Sequence, residues 1–165
     1  MPDSQGAHDS LLEQLRRSGH EVHSAASLVA PWQHVKPEGE WSAHEHLFHL
    51  VANEAIFQER VRLAVAEPHP AFQRWDSGGH MAGHYRTDDD IELLAERFGG
   101  ARSETADLLT ALGSSQWRRT FVWPDGVTRD LEWLAEKVLW HAMDHFATLL
   151  DYHGEFQPLQ ADHSR

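Results

Sequence analysis

The sequence predicts an all-α protein, a four-helix bundle, on three observations. Four long segments space their apolar residues with a helical period, and only one short stretch has the character of strands. The chain has 165 residues, enough for one domain that buries most of its apolar surface. Long helices with little strand pack as a bundle. We therefore expect one domain over residues 1–165, with frayed polar ends at about 1–8 and 157–165.

The first two predicted helices have recognisable limits. The first covers about residues 10–30 and ends at "APW", because Pro31 disfavours the helical conformation of the residue before it. The second covers about residues 42–66, with Ser42 as a plausible N-cap and the prolines of "EPHP" as the stop.

The second half of the chain begins with a long connection. Residues 67–87 contain prolines, paired glycines and no period, which predicts a loop that carries the chain across the molecule. A third helix, about 88–112, opens with the acidic "TDDD", which suits a helix N-terminus. The run "RRTFVWPDGVTRD" predicts a short hairpin around "PDG", followed by a fourth helix at about 129–153.

The composition excludes several classes of protein. There are 14 Lys and Arg residues against 26 Asp and Glu, and the net charge of -12 repels nucleic acid. The chain has no cysteine, so disulfides, thiolate catalysis and cysteine-type zinc sites are excluded. The sequence shows neither a signal peptide nor an apolar run of the ~18 residues that a membrane span needs. We expect a cytoplasmic protein with no membrane partner.

Two histidines occupy the apolar stripe of the fourth helix, in "WHAMDHFATLL". His141 and His145 are spaced i, i+4, so their rings lie one above the other on the helix. A single histidine on such a stripe is more often a hydrogen-bonded core residue. Two together leave polar atoms that cost ~1–3 kcal/mol each if unpaired, and one shared divalent metal satisfies both. The spacing therefore predicts a metal site.

The second helix offers the further ligands in "WSAHEHLFHLVANE". On a helical wheel His46 lies inside the apolar face, His49 lies at its edge, and His44 lies farther round and is expected to be exposed. Periodicity leaves both His46 and His49 open as the third ligand, with a slight preference for His46.

Several motifs resemble the DinB/YfiT-like metalloenzyme superfamily in their order along the chain. They are "W-S-x-x-E-x-x-x-H-L" at 41–50, "F-x-x-x-R-x-x-T" at 98–105, Trp117, "G-V-T" at 126–128 and "H-x-x-x-H" at 141–145. The resemblance implies an up-down-down-up bundle with a long crossover between helices 2 and 3. It also implies a divalent metal, zinc or nickel, held by His49, His141 and His145, with His46 as the alternative ligand.

The resemblance implies a metal-dependent enzyme that acts on a small molecule. Three imidazoles leave a coordination position for water or substrate, and the metal then activates water or a bound thiol. The superfamily includes S-transferases that use a low-molecular-weight thiol such as bacillithiol or mycothiol, and suspected hydrolases. The alternative is a stress-associated metal-binding or ligand-binding bundle without turnover, closed by a fourth ligand such as His46.

Two further groups of residues are candidates for the site. Glu54 and Arg102 lie on apolar helix faces, so we expect them to meet inside the bundle as a bidentate ion pair, with two parallel hydrogen bonds. The alternative is catalytic, with Glu54 as a general base and Arg102 holding substrate. His80, His84 and Tyr85 are either lid residues that contact substrate or cofactor, or solvated loop residues. An uncovered apolar helix face would indicate a homodimer, but the sequence does not say which face.

Overall fold

The fold is taken from a computed structural model that describes residues 4–157. The predicted four-helix bundle is confirmed, with two short helices and a small hairpin inserted between its long helices. The elements in chain order are α1 Ser4–Val29, α2 Ala43–Ala66, α3 Ser77–His84, α4 Ile91–Thr110, α5 Ser114–Trp117, β1 Thr120–Val122, β2 Thr128–Asp130 and α6 Leu131–Phe156. A 3-10 turn, Ala30–Trp32, follows α1.

Polar caps begin the three helices that carry the site. Ser42 and Glu45 form a capping box on α2, in which each side chain accepts a hydrogen bond from the backbone N–H of the other. Asp90 caps α4 and Asp130 caps α6 in the simpler way, through one backbone N–H. These caps fix where each helix starts, and so fix the phase of the side chains that follow.

The four long helices pack in the order α1, α4, α2, α6 around the bundle. Helices α4 and α6 each contact both α1 and α2, whereas α1 and α2 lie diagonally opposite one another. The apolar core divides into two clusters, one around Leu15 and Leu134 and the other around Leu47 and Phe98. Buried polar residues occupy the layer between them, namely Ser18, Glu54, Arg102 and Thr105. A polar layer therefore separates the two apolar clusters.

The crossover between α2 and α4 differs from the predicted loop, because it contains α3. Asp76 caps this helix and Met81 is buried beneath it, so tertiary contacts stabilise a glycine-rich sequence of low helix propensity. Before α3, the backbone N–H of Phe72 donates to the carbonyl of Val122 in β1 at 2.9 Å. The crossover is thus held against the hairpin.

The hairpin is confirmed, and the helix limits shift in places. Strands β1 and β2 pair antiparallel, and Gly126 takes a positive φ of 83° in the "PDG" turn. Residues 4–8 were expected to be frayed but belong to α1, while residues 1–3 and 158–165 lie outside the described range. The up-down-down-up order stays a prediction. Across the described residues, no helix combines the length and apolar character needed to cross a bilayer.

Candidate metal centre

The first turns of α2 and the middle of α6 bring four histidines together. His49 Nε2 lies 3.0 Å from His141 Nε2, and His46 Nδ1 lies 2.7 Å from His145 Nδ1. The partner numbers fall on α6 as they rise on α2, so these two helices run antiparallel here. The i, i+4 spacing of His141 and His145 on α6 therefore faces the i, i+3 spacing of His46 and His49 on α2.

Three of these histidines have the arrangement of a metal site. One ring nitrogen from each of His49, His141 and His145 lies within 4.8 Å of the other two. Ligand nitrogens at ~2.0–2.1 Å from a tetrahedral zinc are about 3.3 Å apart, so small side-chain rotations suffice. Nδ1 of His49 is buried with no hydrogen-bond partner among the described residues. A set of three imidazole donors fits one divalent metal ion.

Burial keeps these imidazoles neutral. Desolvation lowers the pKa of His46 and of His49 to about 4, and nearby histidines add to the effect at His49. Desolvation is also the largest cause of the lowered pKa values of His141 and His145. Neutral imidazole is the form that binds a metal, so the nitrogen lone pairs are available at neutral pH.

Neighbouring rings hold the ligands in place. The contact with His46 engages Nδ1 of His145, which leaves Nε2 of His145 as the nitrogen available to an ion. The ring of Trp41 lies 5.1 Å from that of His49, and the ring of Trp75 stacks on His49 at 5.5 Å and 17°. His46 therefore positions the ring of His145 in this structure, and its role as the alternative metal ligand stays a prediction.

A cleft of about 330 Å³ opens beside His49 and His141. Residues from α2, the crossover, the hairpin and α6 form its walls, and the ones that matter most chemically are Phe57, Arg60, Arg74, Trp75, Trp123 and Lys137. None of these residues was predicted from the sequence to belong to the site. The unusual signal was a tryptophan between two charged residues, "RWD", in a segment interpreted as a loop. A molecule in this cleft reaches the metal-binding histidines directly.

His44 is completely buried, so the expectation that it is exposed was wrong. Its Nδ1 lies 2.9 Å from the hydroxyl of Tyr85, and its Nε2 lies 2.6 Å from the carbonyl oxygen of Asp89. The end of the crossover covers this face of α2, which a wheel of one helix does not show. His44 anchors the crossover and is separate from the histidine triad.

The three predicted lid residues lie at α3 and its end. The rings of His80 and His84 stack at 4.5 Å, and His80 lies 5.5 Å from Trp75. Tyr85 contacts His44. None of the three is among the described residues that line the cleft, so their contacts with substrate or cofactor stay predictions. Their visible contacts support Trp75 and the start of α2.

Glu54 and Arg102 meet inside the bundle, as expected. Arg102 Nη2 lies 3.1 Å from Glu54 Oε2, with side chains 1% and 0% exposed, and Glu54 also accepts a hydrogen bond from the Thr105 hydroxyl at 2.6 Å. The ion pair therefore has one N–O contact and lacks the second, parallel hydrogen bond of a bidentate pair. Burial raises the pKa of Glu54, and the charge of Arg102 opposes that rise. Neither residue lines the described cleft, so their catalytic roles stay predictions.

The comparisons with known proteins agree with this fold. The chain is similar to YfiT from Bacillus subtilis, which is described as a probable metal-dependent hydrolase with an unusual four-helix bundle topology. The two structures superpose with a TM-score of 0.83 at 19% sequence identity, and the match covers 95% of this chain and 90% of YfiT. It is also similar to the DinB-like protein YjoA from Bacillus subtilis, with a TM-score of 0.63, 16% identity and coverage of 90% and 92%.

At these identities the two structures show a shared fold and no more. A search of curated proteins found no match. The family model of the DinB superfamily matches residues 11–149, which is most of the chain and covers α2 and α4 completely and most of α1 and α6. The chain belongs to the DinB superfamily.

Proposed function

We propose that the chain is a divalent-metal-dependent hydrolase that acts on a small molecule. The observation that carries the proposal is the convergence of three neutral imidazoles, two of which, His49 and His141, line an open cleft. A metal at such a place has one side held by protein and another side accessible to substrate, which is typical of catalytic sites. The description of YfiT as a probable metal-dependent hydrolase supports the same reaction class.

The chemistry divides between the ion and the side chains. When bound, a divalent ion such as zinc or nickel would supply Lewis-acid chemistry: it would acidify a bound water molecule, to a pKa of about 7 in the case of zinc, and would polarise a carbonyl group. His49, His141 and His145 would hold it. In hydrolysis the water oxygen bonds to the electrophilic carbon, the scissile bond breaks, and the leaving group takes a proton. Asn53 lies one turn after His49 and lines the cleft, where its amide can orient a substrate carbonyl.

A thiol S-transferase is the second candidate, with a low-molecular-weight thiol such as bacillithiol or mycothiol. The same ion would deprotonate a thiol, and the chain has no cysteine of its own, so the thiol would have to enter the cleft as a cofactor. In that reaction the sulfur bonds to an electrophilic carbon of the second substrate, and the leaving group departs with the electron pair.

A binding bundle without turnover is the alternative from another class. Such a site would be closed by a fourth protein ligand. His46 is the nearest further histidine, and its Nδ1 contacts His145 instead of joining the triad. This arrangement favours the enzyme. A cytoplasmic location and a homodimer remain predictions from the sequence.

Metal analysis followed by two activity assays tests the proposal. We expect one equivalent of metal, and hydrolysis of neutral 4-nitrophenyl esters that a chelator abolishes and added zinc or nickel restores. The His141→Ala variant should lose both metal and activity, while a matched control, His20→Ala at an exposed position on α1, should keep both. Conjugation of a thiol to 1-chloro-2,4-dinitrobenzene without ester hydrolysis would favour the transferase. Bound metal with neither activity would favour the binding bundle.

A further inference from the structure

The cleft beside the histidines carries positive charge, in a chain whose net charge is -12. Arg60, Arg74 and Lys137 line it, and the only acidic residue among its described lining residues is Asp125. The Asp125 carboxylate is already engaged, because it accepts hydrogen bonds from a backbone N–H at 2.9 Å and from Arg129 at 3.4 Å. The local excess of positive charge opposes the charge of the whole chain and attracts anions into the cleft.

The three cations are not neutralised by the protein. Over residues 4–157, none of the ion pairs formed by the described side chains involves Arg60, Arg74 or Lys137. By contrast, the exposed Arg16 and Arg97 both have aspartate partners. A positive group at a cleft wall without a carboxylate partner is available to a negatively charged ligand.

Two of these cations are held in position by an aromatic ring. Arg60 donates to the carbonyl of Gln73 at 2.9 Å, and its guanidinium lies 4.6 Å from the ring centroid of Trp123. The Lys137 ammonium lies 5.6 Å from the same ring. Cation–π contacts of this kind place the charges without neutralising them. The cleft is therefore preorganised for an anion.

The apolar walls of the cleft fit a flat molecule. Phe57, Trp75 and Trp123 line it, and Trp75 stacks on His49. An aromatic surface thus continues from a metal-binding histidine to the wall of the cleft. The volume of about 330 Å³ lies at the small end of the range for ligand sites, about 300–1,000 Å³. A single-ring or double-ring compound matches this size.

We propose that the substrate is a small organic anion with a flat apolar body, whose carboxylate or phosphate group is bound by the cleft cations Arg60, Arg74 and Lys137. Its body lies against Trp75 and Trp123, and its reacting group points towards His49 and His141. The orientation of the reacting group rests on the proposed function, whereas binding of the anion does not require turnover. The two inferences can therefore fail separately.

Binding of a matched pair of probes to the metal-loaded protein tests the proposal. The probes are 1-naphthoate and its neutral amide, 1-naphthamide, measured by titration calorimetry. We expect wild-type protein to bind the carboxylate about tenfold more tightly than the amide. Arg74→Gln and Lys137→Gln should each weaken binding of 1-naphthoate about fivefold and leave 1-naphthamide unchanged. Arg118→Gln, which removes an exposed cation outside the cleft, is the matched control and should bind both probes like wild type.

The metal is present in every variant. A loss of affinity for 1-naphthoate that is seen only in Arg74→Gln and Lys137→Gln is therefore caused by removal of the cations and not by a change in coordination of the carboxylate to the metal. Both side chains are exposed, so these variants are expected to fold. Equal binding of the two probes, no binding of 1-naphthoate, or wild-type affinity in both variants would overturn the inference. Hydrolysis of a neutral ester by wild-type protein reports separately on the proposed function. If the protein prefers 1-naphthoate to 1-naphthamide but hydrolyses no ester, the anion site is retained and the hydrolase is rejected. If the protein hydrolyses the ester but binds the two probes equally, the hydrolase is retained and the anion site is rejected.

Discussion

The buried pair of Glu54 and Arg102 gives the sharpest prediction about stability. The substitution Arg102→Met keeps the apolar stem of the side chain and removes its charge. Glu54 is 0% exposed, so its carboxylate is then left without a cation and with only the Thr105 hydroxyl as a described partner. Removing one member of a buried pair costs roughly 3–5 kcal/mol. For a domain of this size, that loss lowers the unfolding midpoint by about 10 °C.

The free energy of unfolding can be measured by circular dichroism, with heat and with urea. The double variant Arg102→Met, Glu54→Leu removes both charges and should recover most of the loss, because no unpaired charge remains in the core. Arg97→Met is the matched control, since Arg97 lies on the same helix and pairs with Asp89 at the surface. It should cost less than about 1 kcal/mol.

The pH dependence gives an independent check on the cause. Burial raises the pKa of Glu54, and the rise should be larger once Arg102 is gone. When the pKa of a group is higher in the folded state than in the unfolded state, the folded state takes up the proton first as pH falls. Lowering the pH therefore stabilises the folded state relative to the unfolded state. The stability deficit of Arg102→Met relative to wild type should therefore shrink between pH 7 and pH 5. Wild-type stability in the single variant, or a double variant no more stable than the single one, would refute this account of the pair.

Three further predictions concern the metal centre. Replacing His49, His141 or His145 by alanine should lower metal content sharply, whereas full occupancy in His49→Ala with loss in His46→Ala would identify His46 as the third ligand. Burial lowers the pKa of His49 to about 4, so protons should displace the metal only as pH falls towards that value. Metal content measured against pH checks this, and a midpoint of metal loss near pH 6.5, the ordinary pKa of histidine, would contradict it. Hydrolysis should rise with pH through about 7 and disappear with a chelator, and activity in fully metal-free protein would reject the mechanism.

Local signals in the sequence were sufficient for the four long helices and for two of the three histidines of the candidate metal centre. Helical periodicity and caps such as Ser42 are properties of neighbouring residues, and they predicted α2 and α6 closely. The spacing of His141 and His145 was readable for the same reason, because one helix fixes their relative geometry. Glu54 and Arg102 were paired correctly since two lone charges on apolar faces have few other partners in a core.

Periodicity and spacing left the rest of the site open. The family resemblance named His49, and the tertiary structure shows how the remaining residues meet. His46 and His49 lie on nearly the same side of α2, and which one faces His141 depends on how α2 and α6 are rotated against each other. The burial of His44 and the formation of α3 depend on where the crossover packs. The cleft is formed by four separate segments of the chain, and no pattern in their sequences indicates that they lie together. Contacts between distant segments follow from packing of the whole bundle, and no local period or spacing encodes them.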